Sequence, residues 1–145
     1  MVPYGKTASN AVAAMSYLAE GSGNPDFRAS SAAISAGRNI SKPLVAKVLT
    51  ILSQAGLVGG APGPGGGYYL AKPASDIFLI DVVRLFEKTE ESDRCPFGPH
   101  WCGHQDPCPL HDQIVALREA GRQFLEETSL EVFARQGVPD APPSG

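Results

Sequence analysis

The sequence is short of several things. In 145 residues it holds three cysteines, three histidines, two methionines and one tryptophan. An odd, small number of cysteines argues against a closed disulfide framework. No run of about 18 apolar residues occurs, so no segment reads as a membrane span. The opening stretch, MVPYGKTASN, lacks the apolar core of a secretory leader, and a cytoplasmic protein is expected. There is no internal repeat. The glycine-rich stretch GAPGPGGGYY lacks both a following Gly-Lys-Ser/Thr and the G-x-G-x-x-G spacing, which excludes a nucleotide cradle. Charge is sparse at 19%, with a net −3 that by itself points away from nucleic acid.

The distribution of that charge points the other way. Residues 1–72 carry six basic side chains (Lys6, Arg28, Arg38, Lys42, Lys47 and Lys72) against Glu20 and Asp26, a balance of +4. The remainder carries 6 basic and 13 acidic side chains, a balance of −7. A basic front half and an acidic back half fit a nucleic-acid face at one end of the molecule.

Hydrophobic periodicity predicts a mainly α-helical chain with one small β-hairpin. ASNAVAAMSYLAE reads as a helix stopped near Gly21. SSAAISAG reads as a short helix, capped by Ser30 and ended past Gly37. Ser41 is the expected cap of KPLVAKVLTILSQA, in which Val45, Val48, Leu49 and Leu52 recur at the spacing of a buried face. Pro43 falls in its first turn, where a missing N–H is harmless. Leu57-Val58 and Tyr68-Tyr69-Leu70 flank the glycine stretch as a hairpin with a long exposed tip. IFLIDVVRLFEKTE reads as a further helix, with Asp81 near its start. A long helix from Asp112 to Glu127 is expected, with Ile114, Leu117, Gly121, Phe124 and Leu125 along one side. TSLE at 128–131 has the pattern of a capping box for a short last helix. The divisions are then 1–88 for a DNA-binding domain, 89–111 for a metal-binding loop, 112–136 for a long helix and short terminal helix, and 137–145 for a disordered tail.

Short helix, tight turn, second helix and hairpin together make a winged helix-turn-helix. The second helix would enter the major groove of double-stranded DNA with its N-terminal residues nearest the bases. Expected contacts are Arg28, Arg38, Ser41, Lys42, Pro43 and Lys47, with Gly63, Gly65, Gly66 and Gly67 of the wing. Lysines suit phosphates or guanine edges, and exposed backbone N–H groups suit phosphates.

CPFGPHWCGHQDPCPLH, residues 95–111, holds every cysteine, every histidine and the tryptophan of the chain. Its spacing is Cys95-x6-Cys102-x5-Cys108-x2-His111. Three thiolates and one imidazole form a full set of four ligands. They suit a tetrahedral zinc site or an iron–sulfur cluster with one imidazole ligand. His100 and His104 stay open as further ligands. A catalytic thiol would need an oriented base, and no surrounding pocket-forming fold is predicted, so no enzyme is expected. A small iron–sulfur electron-transfer protein would use the cysteine loop but leave the winged helix without a role.

ISKPLVAKVLTILSQAGLV, GPGGGYYLAKP and DVVRLFE, followed by a three-cysteine loop and a long helix, resemble the winged-helix bacterial regulators of the IscR, NsrR and RirA type, the Rrf2 family. The resemblance spans roughly residues 8–135. It implies a homodimer held by the long helix, a palindromic operator, and a cluster, 2Fe–2S by the same likeness, that senses redox, nitric oxide or iron status. Zinc or reversible thiol oxidation is the alternative within the same fold. Other members draw a carboxylate ligand from the first helix of the partner subunit. ASNAV here contains no acid, which favours His111. Pro62 stands where such regulators often carry a wing arginine, and Ala46 where some present a glutamate.

Overall fold

Residues 4–87 and 109–135 are described by the computed structural model of the chain. In order they form α1 (Lys6–Glu20), α2 (Ser31–Arg38), α3 (Lys42–Gln54), β1 (Val58–Ala61), β2 (Gly67–Leu70), a 3-10 turn (Ala74–Asp76), α4 (Leu79–Val83), α5 (His111–Glu127) and α6 (Glu131–Ala134). The segment carrying Cys95, Cys102 and Cys108, together with His100 and His104, lies outside the described residues, as does the 137–145 tail.

α1 is the hub. Its alanines are strong helix formers and present little bulk, so neighbours approach it from several sides. Ala8, Ala11, Val12, Ala14, Met15, Leu18 and Ala19 are buried, and α2, α3, α4 and α6 all pack on it. α1 has neither a side-chain cap nor an acid in its first turn. The carboxylate of Glu87 takes that place, accepting the backbone N–H of Gly5.

α2 begins as the sequence predicts, with Ser30 Oγ accepting the Ala33 N–H at 3.0 Å. Its end differs. Gly37 lies inside the helix, and the left-handed residue is Asn39 (φ 53°). Gly37 serves another purpose: a Cβ there would sit 2.4 Å from the Tyr17 ring. Ile40 N–H closes the turn on Ser35 O at 3.1 Å. α3 buries Val45, Val48, Leu49 and Leu52, as its periodicity requires. Ser41 holds the cap position, yet its hydroxyl makes no capping hydrogen bond.

β1 and β2 pair antiparallel, Val58 opposite Leu70 and Ala61 opposite Gly67. Ala29 adds a third, one-residue rung, exchanging two backbone hydrogen bonds with Tyr68 at 3.0 and 2.7 Å. Within the described residues, the helix expected from Ile77 onward is Leu79–Val83. Asp81 Oδ2 accepts the Phe78 N–H at 3.0 Å at its start. Its continuation tightens, with Leu85 and Phe86 bonding three residues back instead of four.

The predicted Thr128–Glu131 capping box is absent. Backbone pairing has claimed that stretch: Leu79 N–H bonds Thr128 O at 2.9 Å and Leu130 N–H bonds Ile77 O at 2.8 Å. Ser129 Oγ instead accepts the Glu131 N–H at 3.3 Å. This bridge seats Leu125 and Leu130 in the same core as Met15, Leu18, Ile34, Leu49, Leu52, Ile77 and Val82.

Candidate functional site

The polar face of α3 follows from its buried one. With Val45, Val48, Leu49 and Leu52 turned inward, Ser41, Lys42, Pro43, Ala46, Lys47 and Thr50 are all exposed. Thr50 turns its hydroxyl back onto Ala46 O at 2.9 Å. The two ammonium groups thus stand on an open face that begins at a helix N-terminus, an arrangement suited to phosphate and base edges.

The wing is tighter than a long loop. Gly66 N–H bonds Gly63 O at 2.9 Å, closing a turn at the tip. Gly63 and Gly65 take left-handed φ values of 87° and 78°, and a Cβ on Gly66 would lie 2.0 Å from Ala61 O. The Gly66 N–H is therefore used internally. Gly63 and Gly65 are exposed, whereas Gly66 and Gly67 are half-buried.

The two arginines expected at DNA are both engaged within the fold. Arg38 pairs with Glu20 at 2.5 Å, donates from Nε to Ser16 Oγ at 3.1 Å, and lies 5.1 Å from the Tyr17 ring centroid. Arg28 donates from Nη1 to Phe27 O at 2.7 Å and Pro25 O at 3.2 Å, and stacks 4.1 Å above Tyr69. Arg28, Tyr69 and Lys72 line an open groove with Phe27, Leu18 and Glu131. Sequence reading misses the Arg28–Tyr69 stack and the Gly5–Glu87 bond, because each joins residues far apart in the chain with no periodicity to mark them.

His111 is the first residue of α5 and is half-buried, with Asp112 beside it in the first turn. Among the described residues no three metal-ligating side chains gather, since the three thiols belong to the undescribed segment. Its two flanks are placed: Glu87 before it is bonded to α1, and His111 after it opens α5.

The apolar side of α5 divides in two. Leu125 is buried, Ile114 and Gly121 are half-buried, and α5 packs on α4. Leu110, Leu117 and Phe124, seven residues apart, are 44%, 55% and 45% exposed. Val115 is exposed as well. A seven-residue apolar stripe on a helix is the pattern of a helix–helix seam. No helix among the described residues is long and apolar enough to cross a membrane.

Residues 4–136 match the Rrf2 family, described as an iron-dependent transcriptional regulator. An HTH-type transcriptional regulator of Aquifex aeolicus is 30% identical over 130 residues, covering 88% of each chain. IscR of Escherichia coli O1:K1 is 31% identical over 119 residues, covering 75% of this chain and 73% of that one. The structure of CymR, the global cysteine regulator of B. subtilis, superposes with a TM-score of 0.75 at 23% identity, over 94% of this chain and 98% of that one. With α2 and α3 forming the helix-turn-helix, β1 and β2 the wing, and the family match spanning nearly the whole chain, this protein belongs to the Rrf2 family of DNA-binding transcriptional regulators and is not an enzyme.

Proposed function

We propose that this regulator binds a palindromic operator as a homodimer and senses redox, nitric oxide or iron status through an iron–sulfur cluster held by Cys95, Cys102, Cys108 and His111. The observation that carries the sensing half is the placement of the segment's two flanks. Glu87 ties one side to the N-terminus of α1, and His111 opens α5 on the other. A change of state between them pulls on the DNA-binding core and on the long helix together.

The donor set fits the group. Three thiols and an imidazole suit a soft metal centre, and the start of α5 favours an anionic one through its helix dipole. When bound, a cluster, expected as 2Fe–2S, supplies a redox-responsive link among these four side chains. The same set suits tetrahedral zinc, so a zinc-bound or thiol-oxidation regulator is the second reading. α3 lies in the major groove, its start and Lys42 and Lys47 toward the DNA, and the wing tip meets the flanking backbone. Leu110, Leu117 and Phe124 pair with the same stripe of a second copy, which sets half-sites about 34 Å apart or a multiple of that. A coupling of about 1–3 kcal/mol between loop state and DNA affinity is enough to shift operator occupancy.

The test is anaerobic purification from iron-replete cells, with a visible spectrum and iron, sulfide and zinc analysis. Visible absorption with matched iron and sulfide, lost in Cys102→Ser and altered in His111→Ala, is the expected result. A colourless protein holding zinc, or no metal, overturns the cluster and leaves the second reading.

A further inference from the structure

We infer that Arg28 is a wing-positioning residue: it clamps the outer face of the hairpin to the α1–α2 loop and so fixes where the wing lands on DNA. The inference rests on the winged-helix reading above and assigns Arg28 a role other than direct contact.

β2 presents its two tyrosines to opposite faces, as successive strand residues must. Tyr68 faces the core and packs against it. Tyr69 faces outward, and its ring occupies the space that a Cβ on the facing Gly59 would need, 2.5 Å from the nearest ring atom. The guanidinium of Arg28 lies 4.1 Å over that ring. The same guanidinium is held by two carbonyls of its own loop, Pro25 O and Phe27 O. A planar, charged group with donors along its edge can do both at once.

The neighbouring backbone completes the clamp. Ala29 and Tyr68 exchange two hydrogen bonds. Gly67 (φ 142°) permits that approach, since a Cβ there would lie 2.8 Å from Ala29 O. The hairpin is thus pinned by backbone on one residue and by the Arg28–Tyr69 stack on the next. Loss of the stack leaves the rung in place and frees the hairpin to tilt about it. The tip, Gly63 to Gly66, begins two residues from that rung, on the side opposite the stack, so a tilt about the rung re-aims it.

The experiment begins with wild-type full-length protein selecting duplexes from a random-sequence pool. Failure to select any duplex overturns the DNA reading itself, separately from the clamp. With a selected palindrome in hand, wild type, Arg28→Lys, Arg28→Leu and Tyr69→Leu are titrated against it. They are titrated also against a version cut back to the base pairs under the two α3 helices.

All three variants are expected to bind the full duplex about tenfold more weakly, the scale of one stacked cation with its hydrogen bonds. They should match wild type on the trimmed duplex to within about twofold. The slope of log affinity against log salt should not change, because the tip, Gly63 to Gly66, carries no cation and none leaves a phosphate. A merely structural role lowers both affinities equally, and that result overturns the clamp. So does full binding by Arg28→Lys together with a slope reduced by about one in Arg28→Leu, which marks a direct phosphate contact.

Discussion

The guanidinium of Arg38 lies 2.5 Å from a carboxylate oxygen of Glu20, joining the C-terminal ends of α2 and α1. Both side chains are only about one-fifth exposed, at 23% and 20%. Arg38 also donates to Ser16 Oγ. The first helix of the helix-turn-helix is therefore tied to the hub by a shielded ion pair. Arg38→Gln strands the Glu20 carboxylate in a partly desolvated place and is expected to cost about 1–2 kcal/mol in urea unfolding. In a double-mutant cycle, Glu20→Gln should recover part of that loss. The salt dependence of DNA binding should not move.

Lys42 and Lys47 behave in the opposite way. Both are exposed on α3, so Lys42→Ala and Lys47→Ala should change stability by no more than about 0.5 kcal/mol. Each should weaken DNA binding and lower the salt slope by about one if it meets a phosphate. Fluorescence anisotropy across a salt series checks both numbers.

Gly66→Ala tests the wing turn. The added Cβ meets Ala61 O at 2.0 Å, so the tip must open. We expect a loss of DNA affinity larger than about 1 kcal/mol, with a near-native melting transition. The core does not pass through the tip. Parallel titration and thermal melts decide it.

Leu117→Glu and Phe124→Glu place charge on the exposed stripe of α5. If the stripe joins two copies as proposed, wild type sediments as a dimer and each variant as a monomer, while the helical content stays constant. Operator binding should then fall steeply, because two half-sites no longer engage one rigid pair.

Tyr4 provides a pH signature. Burial raises its phenol above the usual value near 10, because the charged form loses solvent. The folded state therefore binds this proton more tightly than the unfolded chain. Its contribution to stability is complete below about pH 10 and falls as pH rises through the folded value. Denaturant titrations at neutral and strongly alkaline pH should show that loss in wild type. Tyr4→Phe should show less of it.

Much of the fold is legible in the sequence where the signal is local and periodic. α3 is the clearest case: Val45, Val48, Leu49 and Leu52 are named by spacing alone and are the residues buried. Ser30 is legible because its cap bond spans three residues. The end of α2 is not. Glycine and asparagine both stop helices, and the ring of Tyr17, twenty residues away, decides that Gly37 stays inside while Asn39 turns the chain. The capping box at 128–131 fails for a related reason. A local pair of side chains competes with a backbone bridge to Ile77 and Leu79, and the bridge also buries Leu130.

The candidate site divides along the same line. Composition and spacing alone identified a helix-turn-helix with a glycine wing and two lysines on its second helix; the ligand set they suggest at Cys95, Cys102, Cys108 and His111 has its three cysteines outside the described residues. Those are properties of residue type and interval, and the physics behind them acts within a few turns of chain. Tertiary structure alone decided what the two arginines do. A guanidinium goes to the nearest carboxylate, carbonyl or ring that packing supplies. Packing placed Glu20 beside Arg38 and Tyr69 beneath Arg28. It also divided the apolar side of α5 between the core and an uncovered stripe. A helix records that it has an apolar side, but which part of that side is covered depends on what the rest of the chain brings to it.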